Sequence, residues 1–409
     1  MPNNWKTYKL SELTTKIGSG ATPRGGKDAY KEFGISLIRS QNVLDFSFST
    51  NGLAFIDEQQ AKKLKNVEIE SRDILLNITG DSVARVCQVP DKWIPARVNQ
   101  HVAIIRANKN KLNPEFLLYS LLTNHNKDKL LTLSSAGATR NAITKSMIED
   151  FEISIPPLQE QQQIASILSA LDDKIENNLA MNKTLEDMAM ALYKHWFVDF
   201  GPFQEGEFID SELGMIPKGW EVKSLTEISK NHNKKRKPIS TREREKIKGI
   251  YPYYGATKIL DYINEYRFEG TYILLAEDGT VKTEKDSPFL QFIEGKFWVS
   301  NHAHVLTGNK IFSNEFLYLC LSNTNVISII TGAVQLKINK QNLESLKFIT
   351  PKQVELKLFE NQVIPWFKKV KENTKENQTL IQLRDTLLPK LISGEVRLQE
   401  FTATIANAL

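Results

Sequence analysis

Two stretches of the chain carry apolar residues at alternating steps of four and three, the spacing of a helix that buries one face against a partner. The first, within 158–197, runs Ile164, Leu168, Leu171, Ile175, Asn178, Asn182, Leu185, Ala189, Leu192. Moved by 195 residues, it reads Phe359, Val363, Trp366, Val370, Asn373, Asn377, Leu380, Arg384, Leu387, within 354–391. Forty helical residues at about 1.5 Å each predict a rod of about 60 Å. Pro365 lies inside the second stretch and predicts either a kink or a helix that starts after it. The asparagines stand where the seam should be apolar. Either they are partly exposed, or they align the two helices at some cost in stability. If they align them, replacing all four with Leu is expected to give mixed association states on size-exclusion chromatography; a uniformly monodisperse variant would refute alignment.

Ahead of the first rod, short β-branched runs such as 73–78 and 101–106 alternate with Gly, Pro and Asn, and a helical stretch follows at 114–122. That mixture predicts a compact α/β domain. The domain recurs. Trp5, Leu10, Glu12 and Leu13 match Trp220, Leu225, Glu227 and Ile228 at a spacing of 215, as Thr22-Pro23 matches Lys237-Pro238 and Gly34-Ile35 matches Gly249-Ile250. The spacing falls to 199 at Ile74-Leu75-Leu76 and Ile273-Leu274-Leu275, and to 200 at Glu115-Phe116-Leu117 and Glu315-Phe316-Leu317. It settles at 195 from Gly137-Ala138 and Gly332-Ala333 onward. A drift that changes only between matched blocks is what loop deletions in one copy leave behind.

With 409 residues the chain has room for two or three domains, and 41% hydrophobic with 25% charged residues is ordinary for a soluble globular protein. No apolar run is long enough to span a bilayer, and the opening MPNNWKTYKL lacks a secretory apolar stretch, so a cytoplasmic location is expected. Cys87 and Cys320 lie among apolar residues and read as reduced core thiols. A net charge of +5 does not by itself announce a nucleic-acid binder. Its distribution says more: residues 230–248 hold nine Lys or Arg against two Glu, a local excess of seven that exceeds the whole chain's.

The string 193–200, YKHWFVDF, followed by 213–222, LGMIPKGWEV, resembles the central junction of the specificity subunits of Type I restriction-modification enzymes. Pro252-Tyr253-Tyr254-Gly255-Ala256-Thr257 with Ala276-Glu277-Asp278-Gly279 is similar to the second target recognition domain of that family, and Gly18-Ser19-Gly20-Ala21-Thr22-Pro23 to the opening of the first. The resemblance covers nearly the whole chain. It implies a mixed α+β fold: two similar α/β target recognition domains separated by two long antiparallel coiled-coil helices, in a pseudo-two-fold repeat. The implied boundaries are 1–156 and 216–351 for the recognition domains, 157–200 and 352–395 for the spacer helices, 201–215 for a linker and 396–409 for a tail. It also implies that each domain reads half of a split target on double-stranded DNA. The helices would set the distance between the halves and dock two methyltransferase subunits, which restriction subunits can join. No cofactor is expected on this chain; S-adenosylmethionine belongs on the partner methyltransferase. Trp196, Phe197 and Trp366 are expected to be exposed for such docking.

Base reading calls for Arg or Lys at guanine edges and Asn or Gln at adenine edges, while any basic side chain holds phosphate. In the first domain the candidates are Arg24, Lys27, Arg39, Gln41, Asn42, Arg97, Asn99, Gln100 and Arg140. In the second they are Lys234, Lys235, Arg236, Lys237, Arg242, Tyr253, Tyr254, Thr257, Lys258, Asn301 and His302. Singly, each is more simply a solvated surface residue; their matching placement in both copies favours a binding face.

Catalytic patterns fall short. Ile155-Pro156-Pro157-Leu158 lacks the amide and aromatic of an adenine methyltransferase motif, and Gly20 through Asp28 misses the phosphate-loop spacing. His302-Ala303-His304 has no accompanying set of ligands, so no metal is expected. Glu277-Asp278 reads as a turn that buttresses the DNA-facing surface. A fused nuclease would need a catalytic cluster that is not apparent, and a purely protein-binding coiled-coil adaptor would not need the duplicated polar loops.

Overall fold

A computed structural model describes residues 4–135 and 141–397; Arg140 and the side chain of Lys27 lie outside the described residues. The repeat is visible element by element. Strand Lys6–Lys9 and helix Leu10–Leu13 reappear 215 residues later as strand Glu221–Ser224 and helix Leu225–Ile228. Helices Pro114–Leu122 and Asn314–Ser322 are 200 apart, and strands Glu152–Ile155 and Lys347–Thr350 are 195 apart. In each copy the first strand pairs antiparallel with the last, Lys6 opposite Ile155 and Glu221 opposite Thr350. The two ends of each α/β domain are thus tied together just before the chain enters a long helix.

The helices at 114 and 314 start at matched caps. Asn113 Oδ1 accepts from Phe116 N at 2.8 Å and Ser313 Oγ from Phe316 N at 3.1 Å, satisfying donors that the first turn leaves open. Both helices press an aromatic ring into the core. Phe116 meets the edge of Trp5, with ring centroids 6.2 Å apart, while Phe316 packs against Phe312, Tyr193 and Phe197.

Between these shared elements the copies differ. The first domain holds two four-stranded sheets; the second holds a single six-stranded sheet. Each keeps one parallel pairing in the same place, Ile35–Ile38 with Ala96–Val98 and Lys248–Tyr254 with Leu290–Val299. Cys87 and Cys320 are free and buried, and burial pushes each thiol up to about 12. No helix among the described residues is long and apolar enough to cross a membrane.

The long helices run Leu158–Phe197 and Gln353–Ser393. The second is continuous across Pro365, so it does not start after the proline. Pro365 sits on the exposed side, where water can take the carbonyl that its missing N–H leaves unpaired. The chain forms two compact units, one of residues 1–178 with 375–409 and the other of 179–374, so each holds one α/β domain and a segment of both long helices.

Within each unit the two helical segments run antiparallel. Ile164, Leu168, Ile175, Asn178, Asn182, Val363, Asn373 and Asn377 are buried; Leu171, Leu185, Trp366, Val370 and Leu380 are half-buried. The asparagines are not partly exposed. In the first unit Asn178 Nδ2 donates to Asn377 Oδ1 at 2.8 Å, and in the second Asn373 Nδ2 donates to Asn182 Oδ1 at 2.8 Å. Each unit therefore carries one amide pair in its seam, where a slip of the helices would leave buried polar groups unpaired. Phe197, expected to be exposed for docking, is instead 3% exposed, wedged between Trp220 and Phe359; Trp196 and Trp366 are half-buried against the same core. Their rings are used internally.

Candidate nucleic-acid interface

In the first unit, strand Thr14–Ser19 ends in a loop that runs back along a turn at 99–101. Gly20 N donates to Val102 O at 2.9 Å and Ala21 N to Val98 O at 3.0 Å. A Cβ on Gly20 would stand 2.2 Å from the carbonyl oxygens of Val98 and Asn99. Gly20→Ala is therefore expected to prise the loop off the turn at a cost of about 1–3 kcal/mol. Hydrogen exchange of the Gly20 and Ala21 amides should report it as lost protection.

The turn itself is held by main-chain bonds. Asn99 N donates to Ile38 O at 2.9 Å, Ile78 N donates to His101 O at 3.0 Å, and His101 N donates to Asn99 Oδ1 at 3.2 Å. His101 Nδ1 lies 2.7 Å from Thr79 Oγ1. Gln100, at the tip, is exposed; Thr22 Oγ1 donates to its Oε1, and its Nε2 lies 3.1 Å from His101 Nε2. Arg24 is exposed on the adjoining loop.

The second unit builds the same turn from different residues. Ser300 N donates to Tyr254 O at 2.9 Å, Glu277 N donates to His302 O at 2.8 Å, and His302 N donates to Ser300 Oγ at 3.2 Å. Asp278 Oδ2 stands 2.8 Å from His302 Nδ1, in the place of Thr79. Gly80 and Gly279 follow with φ of 74° and 77°, the left-handed region that a side chain resists. Asn301 occupies the exposed tip. Beside it runs the basic segment. Arg236 reaches inward, its Nη1 donating to Ala303 O at 2.7 Å, Asn301 O at 3.3 Å and Glu277 Oε2 at 2.7 Å. Burial works to raise the Glu277 carboxyl, but the bond from Arg236 and the nearby His304 and Lys337 bring it below its usual range. Lys234, Lys235, Lys237 and Arg242 are exposed and pair with no carboxylate among the described residues.

Several candidates do not reach the surface as base readers must. Asn42 is fully buried, its Oδ1 accepting from Arg39 N at 3.0 Å and its Nδ2 donating to Ser49 O and Asn51 O at 2.9 and 3.1 Å. Arg97, 6% exposed, spends its guanidinium on Ala61 O, Ala96 O and Glu68. Asn99 is buried under the turn that it braces, and Arg236 is the staple just described. Tyr253, 1% exposed, accepts from Ile239 N through its hydroxyl and carries Arg244 on its ring face at 4.9 Å. Tyr254 is half-buried, its ring edge-on to Phe297. All six shape the loops. For all but Tyr254, which is held by its ring packing on Phe297, polar atoms are bonded to nearby main chain, which a linear pattern does not reveal.

Arg39 is partly exposed and Gln41 exposed, but both lean on the 51–52 turn: Arg39 Nη2 donates to Gly52 O, and Gln41 Nε2 to Asn51 O at 3.1 Å. Thr257 and Lys258 lie at a tight turn closed by Gly255 N donating to Lys258 O at 2.8 Å, with Lys258 exposed. Thr79 and Asp278 orient the two histidines; Asp278 was expected only as part of a buttressing turn and Thr79 not at all, and the alignment of Thr79-Gly80 with Asp278-Gly279 at the 199 spacing was the available signal. His304 is no free ligand: it is buried, with Nε2 on Ile338 O and Nδ1 on Asn233 Nδ2, both at 2.8 Å. Among the described residues no group of three or more His, Cys, Asp or Glu is placed to hold a metal ion.

A duplicated α/β domain with a basic loop beside an amide-tipped turn is an arrangement that suits DNA binding. The chain belongs to the Type I restriction modification DNA specificity domain family, whose model matches residues 2–187 and 217–380. It is 28% identical to the Type I restriction enzyme MjaIX specificity subunit of Methanocaldococcus jannaschii, over 98% of this chain and 95% of that one. It is 24% identical to the HindI specificity subunit of Haemophilus influenzae, over 96% and 100%. Its fold is similar to the crystal structure of a Type I restriction-modification S subunit from M. genitalium, with a TM-score of 0.61 at 17% identity, covering 96% of this chain and 97% of that one.

Proposed function

We propose that the protein is the sequence-reading subunit of a Type I restriction-modification complex and performs no chemistry itself. It binds a bipartite, asymmetric target on double-stranded DNA, one half through each α/β domain. It docks two methyltransferase subunits, which restriction subunits then join; S-adenosylmethionine is bound by the methyltransferase and not by this chain. The complex works in the cytoplasm, away from any membrane. The observation that carries this reading is the pair of turns at 99–101 and 300–302, alike in main-chain bonding and unlike in exposed side chains. Two scaffolds of one kind flanked by different exposed loops, Arg24 beside one and Lys234, Lys235 and Lys237 beside the other, suit two unequal half-sites and need no palindrome.

Mapping methylated adenines in DNA from cells that carry the complete system tests it. A motif of two unequal halves separated by a fixed spacer is expected. A palindromic motif, or no motif dependent on this chain, would overturn the proposal.

A further inference from the structure

We infer that Gln100 and Asn301 are equivalent reading heads, each specifying one A·T base pair in the half-site bound by its own domain. The inference rests on the proposed function and deepens it.

The two turns share three bonds that fix the backbone. The same three hydrogen bonds anchor each one, a glycine with positive φ follows the residue that holds each histidine, and Thr79 and Asp278 bridge to Ala142 and Lys337, which are themselves 195 apart. What differs is the tip, and in both copies the tip is a carboxamide. Of the amides proposed for the two domains, Asn42 and Asn99 are buried, and Gln41 is tied to the carbonyls of Asn51 and Gly52. Gln100 and Asn301 are exposed and stand beside the exposed cations of the neighbouring loop, Arg24 in one unit and Lys234, Lys235 and Lys237 in the other.

The remaining valences fit adenine. A carboxamide offers two lone pairs and two N–H groups. On Gln100, Thr22 takes one lone pair of Oε1 and His101 faces Nε2, which leaves one acceptor and one donor on a fixed edge. With Nε2 donating to His101 Nε2, the imidazole carries its proton on Nδ1 and donates it to Thr79 Oγ1. The Asn301 side chain makes no hydrogen bond among the described residues, so both its groups are open. A paired acceptor and donor match N6–H and N7 of adenine in the major groove, a match worth roughly 5- to 150-fold in discrimination. The cations beside each tip hold phosphate and carry no base preference.

The test is selection of duplexes from a randomised library by the chain assembled with its modification subunits, as wild type and as Gln100→Ala, Asn301→Ala, Gln100→Glu and Asn301→Asp. Gln100→Ala is expected to relax preference by roughly 5- to 150-fold at one A·T position of one half-site only, and Asn301→Ala at one position of the other. The acidic variants should move that position toward cytosine, whose exocyclic amine a carboxylate accepts. For the alanine variants, affinity for random duplex and its salt slope should stay at wild-type values. The inference is overturned if the wild type selects a bipartite target and the alanine variants keep its full base preference, relax the same half-site, or weaken all sequences alike. A wild type that selects no bipartite target would instead overturn the proposed function.

Discussion

Replacing Lys234, Lys235 and Lys237 together with Glu is expected to weaken binding to every duplex, specific or random, by a similar factor. Each phosphate contact contributes about 0.9 to the slope of log affinity against log salt, equivalent to about fivefold at physiological ionic strength. Three lost contacts therefore cost about a hundredfold and flatten the slope by about three. Titrations at several salt concentrations read both quantities. An unchanged slope would remove these lysines from the interface. Arg236 must be left in place, because it is part of the scaffold: its loss would free Glu277 and the carbonyls of Asn301 and Ala303, and the effect would then mix charge with misfolding of the turn. Arg236→Ala serves as the contrast. It should lower stability and disturb base preference, while the salt slope falls by much less than in the triple variant.

Arg384→Met is expected to destabilise the first unit by about 3 kcal/mol, within the 3–5 kcal/mol typical of stranding a buried charge. Arg384 lies in the second long helix, 8% exposed. Its Nη1 donates to Asp172 Oδ1 at 2.8 Å, its Nε and Nη2 to Asp385 at 3.0 and 2.9 Å, and its guanidinium covers the Phe46 ring at 3.6 Å. Asp172 also accepts from the Tyr119 hydroxyl at 2.7 Å. One side chain thus joins both helical segments to a loop of the α/β domain. Methionine keeps much of the volume but leaves the Asp172 carboxylate with only the tyrosine. Thermal unfolding should show one transition shifted down by about 10 °C, at about 3 °C per kcal/mol for a unit of this size. Asp172→Asn in the same chain should recover part of the loss, because no charge is then stranded. An unshifted transition would refute the role assigned to Arg384.

The elements that recur were legible in the sequence because they rest on apolar spacing and capping residues, which leave a linear trace. The helix at 114–122 and the long helices fall where the apolar pattern puts them, and the closing strands keep the 195 spacing of the repeat. The partition of the middle strands into two sheets or one did not, since it depends on which edges meet in space. The basic loop and the exposed amides were legible as residue types in a matched place. Which of them face solvent was not. Asn42, Arg97 and Tyr253 carry the right chemistry for a reader, yet their polar atoms are spent on main chain brought near by the fold. Arg384 was read as a seam position, and its burial follows from Asp172, 212 residues away in sequence.

The division of the chain has a consequence for how it is made. Residues 179–374 are one continuous stretch, whereas the first unit needs residues on both sides of it. Its core is completed by Leu388, Leu391 and Ile392, which are buried in one cluster with Ile164 and Leu168. During synthesis at about 5–20 residues per second, the 210 residues between 178 and 388 take about ten to forty seconds to emerge. The segment translated first thus waits with an open apolar flank while the later one finishes folding. The nascent chain is most exposed to aggregation in that interval, and a chaperone would have most to shield there.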